Sequence, residues 1–259
     1  KTVVMFVNDP GFHAQDPNLF EGKRMTYYGR WTYKFEEAAR KGAAAAIIIH
    51  DDAGASYGWD VVKNSWSGPQ YDLPAKDDPA PRVPALGWIT GEAATVLFKA
   101  AGQDFGKLRA AANKRGFKPV PLDATMSLDL KSTSVEKSSR NVIGLLPGSE
   151  APDEAIIYMA HWDHLGTHEG ETGGDNIYNG AVDNATGVAA ILELAEAFRK
   201  AKTPPKRSIL FLAVTLEESG LLGSKYYVAH PVIPLDKTVG VINLDALAPV
   251  GKAHDITVV

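Results

Sequence analysis

Three apolar runs in this sequence each stop at a side chain suited to binding a cation or moving a proton. AIIYMA (155–160) stops at His161, SILFLAV (208–214) runs on into the adjacent Glu217 and Glu218, and VGVINL (239–244) stops at Asp245. A fourth acid, Asp183, stands at the entrance of the amphipathic run NATGVAAILELAEAFRKA (184–201). Two neighbouring carboxylates at the end of a buried strand repel each other and lose hydration, so they are either wet or facing positive charge. A bound metal answers the second case: it takes one carboxylate as ligand and leaves the other free to accept a proton. The sequence has no cysteine, so any metal must be held by nitrogen and oxygen. Imidazole with carboxylates suits a catalytic zinc rather than a structural one.

These side chains meet only if the runs carrying them lie side by side. From residue 155 onward the pattern reads strand, helix, strand, a short helix LLGSKYYVAH stopped before Pro231, and strand, which implies an α/β sheet. In open α/β sheets ligands sit outside the carboxyl ends of the strands. The apolar stripe of the longer helix reads Val188, Ile191, Leu192, Ala195 and Phe198.

Residues 1 to about 118 form a separate territory. TVVMFVND reads as a strand, TYKFEEAARK as a helix with Phe35, Ala38 and Ala39 inward and Gly42 as its stop, and Ala45–His50 as a buried strand. VPALGWIT and GEAATVLFKAAG read as a further strand and helix. The long loop 54–82 carries Tyr57, Trp59, Trp66 and Tyr71; it either shapes a site or packs on its own aromatics. Residues 119–141 open on a Pro-rich break and read as short alternating strands. The joint falls near 118–122, giving domains 1–118 and 119–259.

Composition narrows the class. Hydrophobic content of 45% and a net charge of −4 describe a globular protein with no reason to bind nucleic acid or an anionic membrane. No apolar run is long enough to span a bilayer. Lys1 opens directly into strand-like KTVVMFV and Val259 closes on strand-like DITVV, so both ends read as cuts through structure.

Taken singly, each polar residue has a plainer reading. A His after a strand is commonly structural, a Glu-Glu pair commonly a solvated turn, and an Asp before a helix commonly a cap. Asn184-Ala-Thr matches a glycosylation acceptor, which at a helix entry reads as coincidence. The weight comes from all of them falling at strand ends in one territory. HExxH and GxSxG are both absent, and the HWDH stretch lacks the His at position 159 (here Met159) that a metallo-β-lactamase pattern needs.

AHWDHLG, NGAVDNATGVAAILELAEAF, TLEESGLLGS and INLDAL together resemble, in order and spacing, the M28 family of zinc peptidases, the two-zinc aminopeptidases. The likeness spans roughly 140–259, and FEEAARKGAAAAIIIHDD with VPALGWIT resembles a protease-associated domain. The resemblance implies a partial mixed-sheet catalytic domain of the zinc-exopeptidase type beside an α+β or β-rich protease-associated domain. It assigns His161 and Asp245 to one zinc, Asp183 as bridge, Glu218 to the second zinc, Glu217 as general base, and Asp163 as the group orienting His161. It also implies a cis peptide at Asp183–Asn184, while Val182 departs from the family's usual polar residue. The family's remaining ligand, a His, is expected beyond Val259; His164 and His168 read as loop residues. The implied substrate is a peptide and the implied location is outside the cytoplasm, with no nucleic acid, no membrane span and an unassigned oligomeric state. Two zincs are expected per complete site and one or none in this stretch alone, which is then inactive, exposes apolar sheet and self-associates. At least one of Glu217, Glu218 and Asp183 is expected to hold a raised pKa. The alternatives on the same architecture are a non-catalytic receptor or scaffold and a zinc-dependent glutaminyl cyclase.

Overall fold

β-branched runs form strands here, and runs with apolar residues at helical spacing form helices. The computed structural model describes residues 1–167, 174–247 and 251. His168 and the DITVV run lie outside the described residues. The chain divides into two compact units, Lys1–Gln70 with Ala80–Thr133 and Tyr71–Pro79 with Ser134–Val259.

In the first unit, β1 (Thr2–Phe6), β2 (Ala45–Ile49) and β3 (Leu86–Ile89) form a parallel sheet in that order. Helix α1 (Pro10–Ala14) follows β1, and α2 (Trp31–Arg40) returns the chain to β2. α2 buries Phe35 and Ala38 and is followed by Gly42, whose φ of +68° suits a residue without a Cβ. The stretch read as a long loop holds two short helices, α3 (Asp52–Ala55) and α4 (Trp59–Ser65). Its Tyr57 and Trp66 pack into the core of this unit, where Trp66 meets Trp31, Phe35 and Trp88 at ring separations of 5.7–6.2 Å. α5 (Gly91–Ala100) and α6 (Phe105–Ala112) close the other face through Phe98 and Phe105; sequence spacing had not separated α6 as a helix.

In the second unit, β4 (Val142–Leu146), β5 (Ala151–His161), β8 (Arg207–Val214) and β9 (Thr238–Asn243) form one sheet in the order β4-β8-β5-β9. β5 runs parallel to both neighbours, and only β4 is antiparallel. β6 (Gly166–Thr167) and β7 (Ile177–Tyr178) make a small separate hairpin. The core centres on Ile157, Leu210, Leu212 and Val214, in strands whose near-continuous apolar runs suit a sheet covered on both faces. α7 (Ala185–Lys200) packs on β5 and β8 with Ile191 buried and Phe198 against Tyr158 and Phe211. Leu192, placed on the buried stripe by its spacing, instead stands 66% exposed. α8 (Leu222–Ala229) covers the core with Tyr227. Residues 117–140 hold no helix or strand, so the alternating pattern there does not become sheet.

Candidate metal centre

The strand order decides what meets. Because β5 pairs in parallel with both β8 and β9, the carboxyl ends of all three lie at one edge. His161 is in register with Val214, and Met159 with Asn243, so the residues just past β8 and β9 come level with His161. His161 Nε2 lies 3.0 Å from Asp183 Oδ1 and 3.3 Å from Asp245 Oδ1. The three form one group able to hold a metal ion, and Asp183 recurs in a second group with His164 and Glu218.

Hydrogen bonds outside the groups position His161 and the turns that carry Glu217, Glu218 and Asp245. The Nδ1 edge of His161 faces the backbone carbonyl of Asp163 at 3.0 Å, while the Asp163 carboxylate stands 3.7 Å away. The main chain of Asp163, rather than its side chain, therefore orients the imidazole. The carboxylate is committed elsewhere: Oδ1 accepts from the amide of Glu217 at 3.0 Å and Oδ2 from that of Glu218 at 3.3 Å. One residue thus fixes both the ring and the turn that carries the Glu pair. Asn184 does similar work for Asp245. Its amide donates to the Leu244 carbonyl at 2.9 Å, and its Oδ1 accepts from Gly187 at 3.0 Å, capping α7. The Asp183–Asn184 peptide is cis, as the family likeness implies. Asn141 clamps the far side of the Glu turn, accepting from the Thr215 amide at 3.1 Å and donating to the Gly223 carbonyl at 2.8 Å.

Sequence reasoning missed the clamping role of Asn141 and the closeness of His164 to Glu218. His164 lies in a loop, as read, and its Nδ1 lies 2.7 Å from Glu218 Oε1. The signal available was its place three residues after His161, next to the Asp163 that anchors the Glu turn.

The electrostatics fit a cation. With Nδ1–H donated to the Asp163 carbonyl, the Nε2 of His161 faces the Asp183 and Asp245 carboxylates. Asp183 Oδ1 is buried and makes no hydrogen bond. An imidazole nitrogen and carboxylate oxygens converging on one point are the donor set that a catalytic zinc takes. Burial pulls the His161 pKa down, but the Asp163 carbonyl and the carboxylates of Glu217, Asp245 and Asp163 outweigh it, and the net shift is upward. Glu217 is also held above the ordinary carboxylate range. Burial is the main cause; His161 opposes it, and Glu218, Asp245 and Asp163 reinforce it. The expected raised carboxyl is thus found at Glu217.

Residues 141–259 match the profile of Peptidase family M28. This part of the chain is similar to peptidase family M28. Among M28-related proteins, the mouse "Aminopeptidase NAALADL1" is 30% identical over 138 residues, covering 50% of this chain and 17% of its own length. A "Probable zinc metalloprotease" of Pyrenophora tritici-repentis is 31% identical over 191 residues, covering 73% of this chain and 40% of its own. The solved structure of a "Peptidase M28 precursor" from Shewanella amazonensis aligns over 94% of this chain and 45% of its own, with 21% identity and a TM-score of 0.38. The chain thus spans less than half the length of these curated M28 relatives.

Proposed function

We propose that this chain carries the metal-binding part of a zinc metallopeptidase, an exported aminopeptidase that cleaves N-terminal peptide bonds. The observation that carries this reading is the convergence of His161, Asp183 and Asp245 within 3.3 Å of the His161 Nε2, with Glu217 close enough to be perturbed by them. His161 and Asp245 would hold one zinc, Asp183 would bridge, and Glu218 would serve the second, two per complete site. Zinc bound there would supply polarisation of the scissile carbonyl and acidification of water. Glu217 takes the proton from the attacking water and delivers it to the leaving amine. Its half-buried, raised carboxyl is closer in affinity to that proton than an exposed glutamate. The surplus of carboxylates beyond those needed as ligands would hold the free amino group of a substrate, which favours action at an N-terminus.

The first unit is read as a protease-associated domain preceding the M28 segment. In support, the 191 residues aligned with the fungal metalloprotease exceed the 119 between 141 and 259, so that likeness reaches into residues before 141. Among the described residues no helix is long and apolar enough to cross a membrane.

The test is hydrolysis of a panel of aminoacyl reporter substrates by the full-length protein before and after chelation, with zinc added back. Activity lost to chelator and restored by zinc supports the reading; activity indifferent to both sinks it. Within that assay, Glu217→Gln should lower kcat by at least about 10²-fold while zinc content is unchanged, since a general base contributes about 10²–10⁴-fold.

A further inference from the structure

We infer that Asn179 is a site of spontaneous modification, converting through a cyclic imide to an isoaspartyl residue that loosens the neighbouring metal centre. The modification follows from the chain itself; its effect on zinc rests on the metallopeptidase reading.

Asn179-Gly180 is the sole Asn-Gly pair in the sequence. Asparagine is labile where the main-chain nitrogen of the next residue can reach its side-chain carbonyl carbon, and glycine, without a Cβ, leaves that approach open. The Gly180 nitrogen attacks Cγ of Asn179, the Cγ–Nδ2 bond breaks, and ammonia leaves with the proton of the Gly180 amide. Water then opens the imide. Breaking its nitrogen–Cγ bond gives an aspartyl residue. Breaking the bond to the main-chain carbonyl carbon gives the isoaspartyl residue, whose backbone runs through the side-chain methylene and is one atom longer. Nothing is oxidised or reduced.

The surroundings single out Asn179 among its neighbours. It is exposed, and its Nδ2 donates to the Ile177 carbonyl at a long 3.2 Å. Among the described residues the Gly180 amide donates no hydrogen bond, so the attacking nitrogen is unrestrained. Asn184 is the contrast. It is buried, both ends of its side-chain amide are bonded, and the nitrogen that would attack it, that of Ala185, donates to the Gly180 carbonyl at 2.9 Å. Asn176 precedes the β-branched Ile177, whose amide donates to Asp175 Oδ1 at 3.1 Å.

Gly180 has no slack to absorb a longer backbone. Its φ is +65°, and a Cβ on it would lie 2.8 Å from the Asp183 carbonyl oxygen and 3.0–3.1 Å from Cβ and Cγ of His164. Its own carbonyl receives the Ala185 amide at the entrance of α7. Gly180 therefore buttresses the turn that presents Asp183 to His161 at 3.0 Å. An extra backbone atom directly before it pushes on that turn and draws Asp183 out of place.

The experiment compares the full-length protein freshly purified and after incubation at mildly alkaline pH. Peptide mass mapping locates deamidation, and enzymatic methylation of isoaspartyl groups gives a second readout. Asn179 is expected to react ahead of Asn176 and Asn184. Zinc affinity of the isoaspartyl fraction should lie about 10–100-fold below that of fresh protein, the loss caused by disturbing a group that steadies a ligand. Asn179→Gln, whose longer side chain closes the ring far less readily, should pass through the same incubation unmodified and keep its zinc affinity. Fresh Asn179→Asp adds the charge without the longer backbone and should bind zinc as fresh wild type does. An intact Asn179 when other asparagines have reacted overturns the inference. So does an isoaspartyl fraction with unchanged zinc affinity, or an equal weakening in fresh Asn179→Asp. Fresh wild type that binds no zinc sinks the metallopeptidase reading, while the mass map still decides the modification.

Discussion

Glu217 and His161 set how the site responds to protons. Both pKa values are raised in the folded chain, Glu217 above its ordinary 4.5 and His161 above its ordinary 6.5. A group that binds its proton more tightly when folded adds stability at pH below its unfolded value, and that stability is lost as pH rises through the folded value. Metal-free protein should therefore lose thermal stability from these two groups as pH rises from about 4.5. Glutamine does not titrate, so the melting temperature of Glu217→Gln relative to wild type should climb over the same range. Melting curves in chelator at a series of pH values decide the matter; a difference that stays flat or shrinks refutes the assignment. At Asn184 the prediction concerns connection rather than charge. Asn184→Ala removes the α7 cap and leaves the Leu244 carbonyl without its donor, which together should cost about 2–4 kcal/mol. Because Leu244 precedes Asp245, the variant should also bind zinc more weakly. Unchanged zinc affinity in a destabilised Asn184→Ala would confine the residue to capping.

Strand β5 is the element that assembles the centre, since it alone pairs in parallel with both strands whose ends bring acids to His161. This was largely legible in the sequence. Apolar runs of strand length ending on His161, Glu217–Glu218 and Asp245, alternating with an amphipathic run, leave few arrangements other than a shared carboxyl edge. What was not legible lay in side-chain commitments. Nothing in HWDH says that Asp163 gives its carbonyl to the ring and its carboxylate to the Glu turn, because that depends on how the turn after β8 folds back. The closeness of His164 to Glu218 was not legible because it depends on Gly180, sixteen residues on, which occupies the left-handed region open to glycine. Leu192 misled for the opposite reason: helical spacing assigns a stripe, and the width of that stripe actually covered depends on what packs there. In the first unit, the end of α3 and the whole of α4 within 54–82 were hidden by Gly, Pro and Trp. These residues suggest irregular chain, yet Trp66 and Tyr57 are drawn into the core by the area they bury.

At the scale of the whole molecule, the two units have separate cores, one around Ile48 and Phe35 and one around Leu210 and Ile157. Between them residues 117–140 are without helix or strand and almost wholly exposed. Trypsin should therefore cut first at Lys131 and Lys137, and zinc should raise the melting of the second unit while leaving the first unchanged. A single calorimetric transition that zinc shifts as a whole would contradict that separation. Connectivity adds a condition on how the molecule is made. Tyr71–Pro79 belongs to the second unit, where Asp77 faces His230 at 3.4 Å, although the chain on either side of it belongs to the first. During synthesis this segment emerges before any strand of its own sheet exists, since β4 through β9 all follow it. The first unit can close only by leaving the segment outside as a loop. Two prolines and three aspartates in YDLPAKDDP favour hydration and disfavour pairing as a strand. The nascent protein thus passes through a stage in which a finished first unit carries a waiting piece of the second.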